Sequence, residues 1–141
     1  MLANSSYPPE YVKQCRANVD DLVKAYRKVA TAAKGDASVA KFAPLLFNHL
    51  VLVLDEYFVH RLRAVEGKDG NPLNEVRVIA NSVMLHDGIL TVEKSIKLNP
   101  ETSVLGLAPG DPIALDEKSF TKLASAYFDE IHTKFTEGGV T

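Results

Sequence analysis

The run RVIANSVMLHDGIL, Arg77 to Leu90, reads as an apolar helix that halts at a histidine and a glycine. Just upstream, Asn71-Pro72 supplies an N-cap and a proline at the first helical position. Apolar Leu73, Val76, Ile79, Ala80, Val83 and Met84 then recur at helical spacing up to Asp87-Gly88. His86 falls at the end of this helix, where the macrodipole favours a cation. A helix so defined by its own residues needs other helices to cover it, which sets the fold class as an all-α bundle.

The neighbouring segments fit that class. A helix opening at Pro8-Pro9-Glu10 and closing at Lys34-Gly35 carries Val12, Cys15, Val19, Leu22, Tyr26, Val29 and Ala33, a three-four alternation suited to an antiparallel seam. The turn Gly35 to Ser38 leads into a second helix from Phe42 to Val65. It is apolar around most of its circumference, so it is expected to be the most buried helix, with Leu50, Val53, Leu54 and Phe58 in the core. The last helix starts at Asp116 and presents Phe120, Leu123, Ala124, Tyr127, Ile131 and Phe135 before Gly138-Gly139. Between Ile89 and Leu115, Asn99-Pro100, Pro109-Gly110 and Asp111-Pro112 interrupt the pattern, giving an irregular excursion or a short β-hairpin. The expected architecture is an antiparallel bundle of four to five helices forming one domain over residues 1–141, with flexible tails at 1–8 and 137–141.

Composition narrows the function. A net charge of -2 over 141 residues gives no basic footprint for nucleic acid, so weak or no nucleic-acid binding is expected. The lone Cys15 lies on an apolar stripe, as a small core residue would in a reducing compartment. No basic, apolar leader opens the chain, and the longest unbroken apolar run, Leu50 to Leu54, is too short for a bilayer. A cytoplasmic location without membrane contact is the expectation.

Two sets of residues are able to carry chemistry. His49, Glu56, His60 and Arg63 follow at steps of seven, four and three, one stripe of the second helix, and His132 with Asp129 lies on the last helix. Imidazoles and a carboxylate converging in a bundle are a metal-site pattern. Neither the two-carboxylate nor the Glu-x-x-His arrangement of di-metal bundles is complete, so the favoured reading is Glu56 paired with His60 or Arg63, with no bound metal and no cofactor. Arg61, Arg63 and Lys68 read as a solvated basic helix end, and Gly67 to Gly70 as a connector.

The second set is Asn81-Ser82 with His86-Asp87-Gly88-Ile89-Leu90, followed by the irregular stretch, Gly110 to Leu115 and a closing helix. Over about residues 40 to 135 this resembles the HEPN superfamily of small helical bundles, in which a helix ends in an arginine-asparagine pair, an apolar spacer and a histidine. The resemblance implies a metal-independent ribonuclease pair in active members, the histidine handling the 2′-hydroxyl proton and the arginine the phosphate charge. With Asn81-Ser82 and Gly88 matched, the family arginine falls on Ala80 and the family histidine on Leu85. The resemblance therefore implies a non-catalytic interaction or regulatory bundle, with a homodimer or another protein as partner. The alternatives are a ribonuclease or nucleotide-handling enzyme using Asn81 and His86 in a shifted motif, and a metal-binding bundle using His49, Glu56, His60 and His132.

Overall fold

A computed structural model describes residues 2–136. Its helices are α1 (Pro9–Ala32), α2 (Ala37–Tyr57), the single-turn α3 (Arg63–Glu66), α4 (Pro72–Leu85) and α5 (Glu117–Phe135), and there is no strand among the described residues. The fold is all-α. Long-range contacts fix the helix directions: Arg16 meets Asp129 and Arg27 meets Glu117, so α1 runs against α5. Tyr11 bonds the Tyr57 carbonyl while Tyr26 stacks edge-on to Phe47, so α1 also runs against α2. Asn48, midway along α2, bonds the backbone of Ile113 and Leu115, Ile113 bonds Gly88 just past α4, and Arg61 just past α2 bonds the Leu73 carbonyl at the start of α4, so α2 runs against α4.

Local signals set the ends of α4 and α5. The Asn71 side chain accepts from the Leu73 and Asn74 amides, and Pro72 occupies the first turn. At the other end His86 is the C-cap, and its amide and that of Gly88 both donate to the Ser82 carbonyl. Asp87 and Gly88 follow with φ 54° and 74°, a left-handed pair that ends the helix. Asp116 and Ser119 form a reciprocal capping box at α5, and all six expected apolar residues of that helix are buried, with Phe128 beside them.

The first two helices depart from their periodicity. Along α1 the buried residues are Val12, Cys15, Val19 and Val23, while Leu22 and Val29 are 44% and 61% exposed. A helix packed on a neighbour without supercoiling follows 3.6 residues per turn, so a strict 3.5 repeat rolls off the contact after two or three turns. Helix α2 begins five residues before Phe42, capped by Asp36, holds Pro44 in its interior, and stops at Tyr57 instead of reaching Val65. Phe58 to His60 form a turn, and α3 follows. No glycine or proline marks this break. It lets Arg61 pair with Asp55 and Glu66, partners six and five residues away that a continuous helix would not align.

The most buried helix is α4 rather than α2. Eight of its 14 residues are buried, against four of 21 in α2. The 89–115 excursion covers α4: Val104 and Leu105 amides bond Glu75, and Thr91 bonds Ser82. On α2 only the face carrying Ala43, Phe47, Val51 and Leu54 is closed, with Leu50 and Val53 half-buried. The excursion's hairpin shrinks to one antiparallel bridge, Ile89 with Pro112, because prolines at 109 and 112 remove ladder donors. Gly70 is required where it sits: with φ 89°, a Cβ there would lie 2.3 Å from the Lys97 carbonyl oxygen.

The N-terminal residues, expected to be a tail, form a strap. Asn4 pairs with the backbone of His60 and Leu62, and the Tyr7 amide donates to the Phe135 carbonyl. The tail at 137–141 and the Gly138-Gly139 stop lie outside the described residues.

Candidate functional site

No hydrogen bond joins Asn81 and His86, the pair a shifted motif would use, among the described residues. His86 is exposed at the C-cap, Asn81 is half-buried on α4, and neither side chain has a hydrogen-bond partner among the described residues. Ser82 is buried and structural, its hydroxyl donating to the Val78 carbonyl and accepting from the Thr91 amide. Ala80 is buried, whereas Leu85 is 73% exposed. The nearest cation on the helix, Arg77, lies nine residues before His86, about 13 Å along the axis, and is turned toward Glu66.

Nor does the stripe of His49, Glu56, His60 and Arg63 exist as one helical face, because α2 ends before His60. His49 is exposed, with Nδ1 2.7 Å from the Leu45 carbonyl oxygen. Glu56 and His60 are exposed, Arg63 begins α3, and no ion pair joins them among the described residues. His132, exposed on α5, contacts Thr136 Oγ1 at 3.2 Å, while Asp129 pairs with Arg16. No group of three or more His, Cys, Asp or Glu side chains is placed to hold a metal among the described residues.

The polar centre lies elsewhere, where α2, α3, α4 and α5 converge. Arg61, expected to be a solvated helix end, has a fully buried side chain. All five of its N–H groups are used: Nε to Glu66, Nη1 to the Phe58 carbonyl and the Tyr127 hydroxyl, Nη2 to Asp55 and the Leu73 carbonyl. Glu66, also buried, accepts from Arg61 at 2.8 Å, Asn74 at 2.8 Å, and both Nε and Nη2 of Arg77 at 3.1 and 2.6 Å. Lys134 and Asn71 bond its backbone carbonyl. Burial by itself pushes the Glu66 carboxyl up, but the Arg77 hydrogen bonds and the two guanidinium charges outweigh it and hold the carboxyl below the usual range. Two cations and two carboxylates balance, as a buried ionic cluster requires.

A second buried carboxyl, Glu75, shifts the other way. Desolvation raises it, and the amides of Val104 and Leu105, at 2.8 and 2.9 Å, only partly offset that. It is the latch that holds the excursion on α4. Glu75→Ala is expected to speed amide hydrogen exchange at Val104 and Leu105 by at least about tenfold, the loss of one charge-assisted bond each. Unchanged exchange at both amides would show that apolar packing, not Glu75, holds the loop.

Around these centres the surface is uneven. Phe42 and Leu45 on α2, and Met84, Leu85 and Ile89 where α4 ends, are all at least 40% exposed and share one end of the bundle. By length and composition α2 could cross a membrane, yet only 22% of its most apolar 18-residue window is buried in the protein. An all-α bundle with a neutral buried ionic cluster and an uncovered apolar helix face is the class these observations define. No family model, no curated protein and no solved structure matches this chain.

Proposed function

We propose that the protein is a non-catalytic, HEPN-like interaction module that pairs with a second copy of itself through the outer face of α2 and the end of α4. The observation that carries this reading is the outer face of α2, an apolar helix of which only four of 21 residues are fully buried and on which Phe42 and Leu45 are 50% and 64% exposed. Phe42, Leu45, Met84, Leu85 and Ile89 together leave on the order of 500–600 Å² in water, the upper range for a monomer's largest apolar patch. A two-fold axis counts that area twice, bringing the total to roughly the 1,200 Å² at which specific interfaces begin. The resemblance to HEPN domains supports the same geometry, since it implies pairing through motif-bearing helices. Ala80 and Leu85 stand in place of the family's pair, and Arg77 lies nine residues before His86 and pairs with Glu66, which favours the non-catalytic form.

A lipid surface is a poorer occupant than a second copy. Asp55 and Glu56 lie at the end of α2, and ionised side chains in the hydrocarbon layer are costly. The test is mass in solution without detergent. The wild type is expected at twice the 15.4 kDa of one chain, and Leu45→Lys combined with Leu85→Lys at 15.4 kDa with its helical signal retained, both side chains being exposed in the protomer. A wild-type monomer at concentrations up to ~100 µM, or capture by neutral vesicles in place of dimerisation, would overturn the reading.

A further inference from the structure

We propose that the cleft between the N-terminal strap, the Val59–Arg63 turn and α4 binds small phosphate monoesters. It is a shallow, open depression of about 270 Å³. Arg61, Arg63, Arg77 and His60 line it with apolar Ala3 and Val59, and no carboxylate is among its lining residues. Such a wall would be unremarkable if each cation had its own anion. Here the donors are unevenly matched.

Arg61 is saturated by its five acceptors and serves as the floor. Glu66 already accepts four hydrogen bonds and has no lone pair to offer outward. Arg77 gives Glu66 its Nε and Nη2, which leaves the two N–H groups of Nη1 without a partner among the described residues. Its side chain is 15% exposed, and it lines the cleft. Arg63, exposed and also lining the cleft, makes no ion pair among the described residues. Two guanidinium groups with free donors and an imidazole therefore line one small volume whose own lining holds no carboxylate, while Asp55 and Glu66 are engaged by Arg61 and Arg77.

That arrangement suits a tetrahedral dianion better than a carboxylate. A carboxylate engages one guanidinium fork, whereas a terminal phosphate offers three oxygens to separate donors. Arg77 is held in place by Glu66, so little side-chain entropy is lost when it binds. The volume is a little below the roughly 300–1,000 Å³ of sites that engulf whole small molecules, enough for the phosphate and a sugar-sized group. The net charge of -2 disfavours a polyanion such as RNA.

The test titrates the isotope-labelled full chain with ribose 5-phosphate, inorganic phosphate, ribose, acetate and a ten-nucleotide RNA, following backbone amide shifts. Ribose 5-phosphate is expected to give saturable shifts at Leu62, Arg63 and Arg77, with inorganic phosphate weaker and ribose and acetate silent. Arg63→Ala, at an exposed position, should weaken the ester roughly ten- to a hundredfold, the loss of one charge-assisted contact. Lys24→Ala, remote from the cleft, should not. The proposal is overturned by the absence of saturable shifts at those amides, by shifts that survive Arg63→Ala, by acetate binding as tightly as the ester, by free phosphate binding while the ester is rejected, or by RNA binding more tightly than the ester.

Discussion

Glu66→Ala is expected to destabilise the protein by about 3–5 kcal/mol, because it leaves two guanidinium groups facing each other with Asp55 as the one remaining carboxylate of the cluster. Arg61 has no route to water, its side chain being fully buried. The cost is that of an uncompensated buried charge rather than of one hydrogen bond. The same group makes stability depend on acid. The folded carboxyl titrates below the ordinary glutamate value of 4.5, so the unfolded chain takes up its proton first as pH falls. The stabilisation is full above 4.5 and is lost as pH drops through the depressed folded value. Denaturant unfolding at pH 7 and pH 3 checks both parts. Wild type should lose stability between the two, and Glu66→Gln should start lower and fall less. A Glu66→Ala cost below about 1 kcal/mol would mean that the arginines find water or other anions, which would remove the cluster as the fold's polar centre.

What was legible in the sequence divides along the range of the signal. Asn71, Pro72 and the His86 to Gly88 stop act within one turn of the helix they bound, and Asp116 with Ser119 does the same for α5. Those elements stand where their residues place them. The end of α2 has no such marker. It is set by Arg61, whose partners Asp55, Glu66, Leu73 and Tyr127 come from four parts of the chain. Reading apolar periodicity assigns charged residues to solvent by default, so a buried guanidinium both hides the break and hides itself. One local hint was present. With Asn71 as cap, Asn74 and Glu75 must sit in the first turn between Leu73 and Val76, so polar groups share a turn with core residues and need partners.

The stripe of the second helix is broken for a related reason. His49, Glu56, His60 and Arg63 form a stripe only if one helix carries them all, and the break at Tyr57 removes that premise. The apolar circumference of α2 predicts burial, although composition says how apolar a helix is and not what covers it. In this protein the inward face meets the core, and the outward residues Phe42 and Leu45 are 50% and 64% exposed. The apolar content of α2 and the burial of α4 therefore separate: the first is fixed by composition, the second by the excursion that folds over the helix.

Phe58→Ala should cost about 3–5 kcal/mol, equivalent to a fall in Tm of roughly 10–20 °C for a chain of this size. Phe58 is fully buried at the point where α2 stops, and its ring contacts come from every side: Tyr7 edge-on at 4.9 Å, Tyr11 at 5.6 Å, Tyr127 at 6.0 Å and Phe128 at 6.2 Å between centroids. Removing it takes a core ring away from the strap, α1 and α5 together, so no single element can shift to close the cavity. Two features set where in the range the value falls. The Phe58 carbonyl holds Arg61 Nη1 at 3.0 Å, so any backbone relaxation at the C-cap also loosens the ionic cluster and raises the cost. Against that, the Tyr7 hydroxyl is buried without a partner among the described residues, and a water entering the cavity would find it, which lowers the cost. Phe58→Leu separates the two, since it refills most of the volume and leaves the carbonyl in place. It should recover more than half of the loss. If Phe58→Ala costs less than about 1 kcal/mol, the aromatic junction is not what closes the end of α2, and the turn there must be held by Arg61 alone.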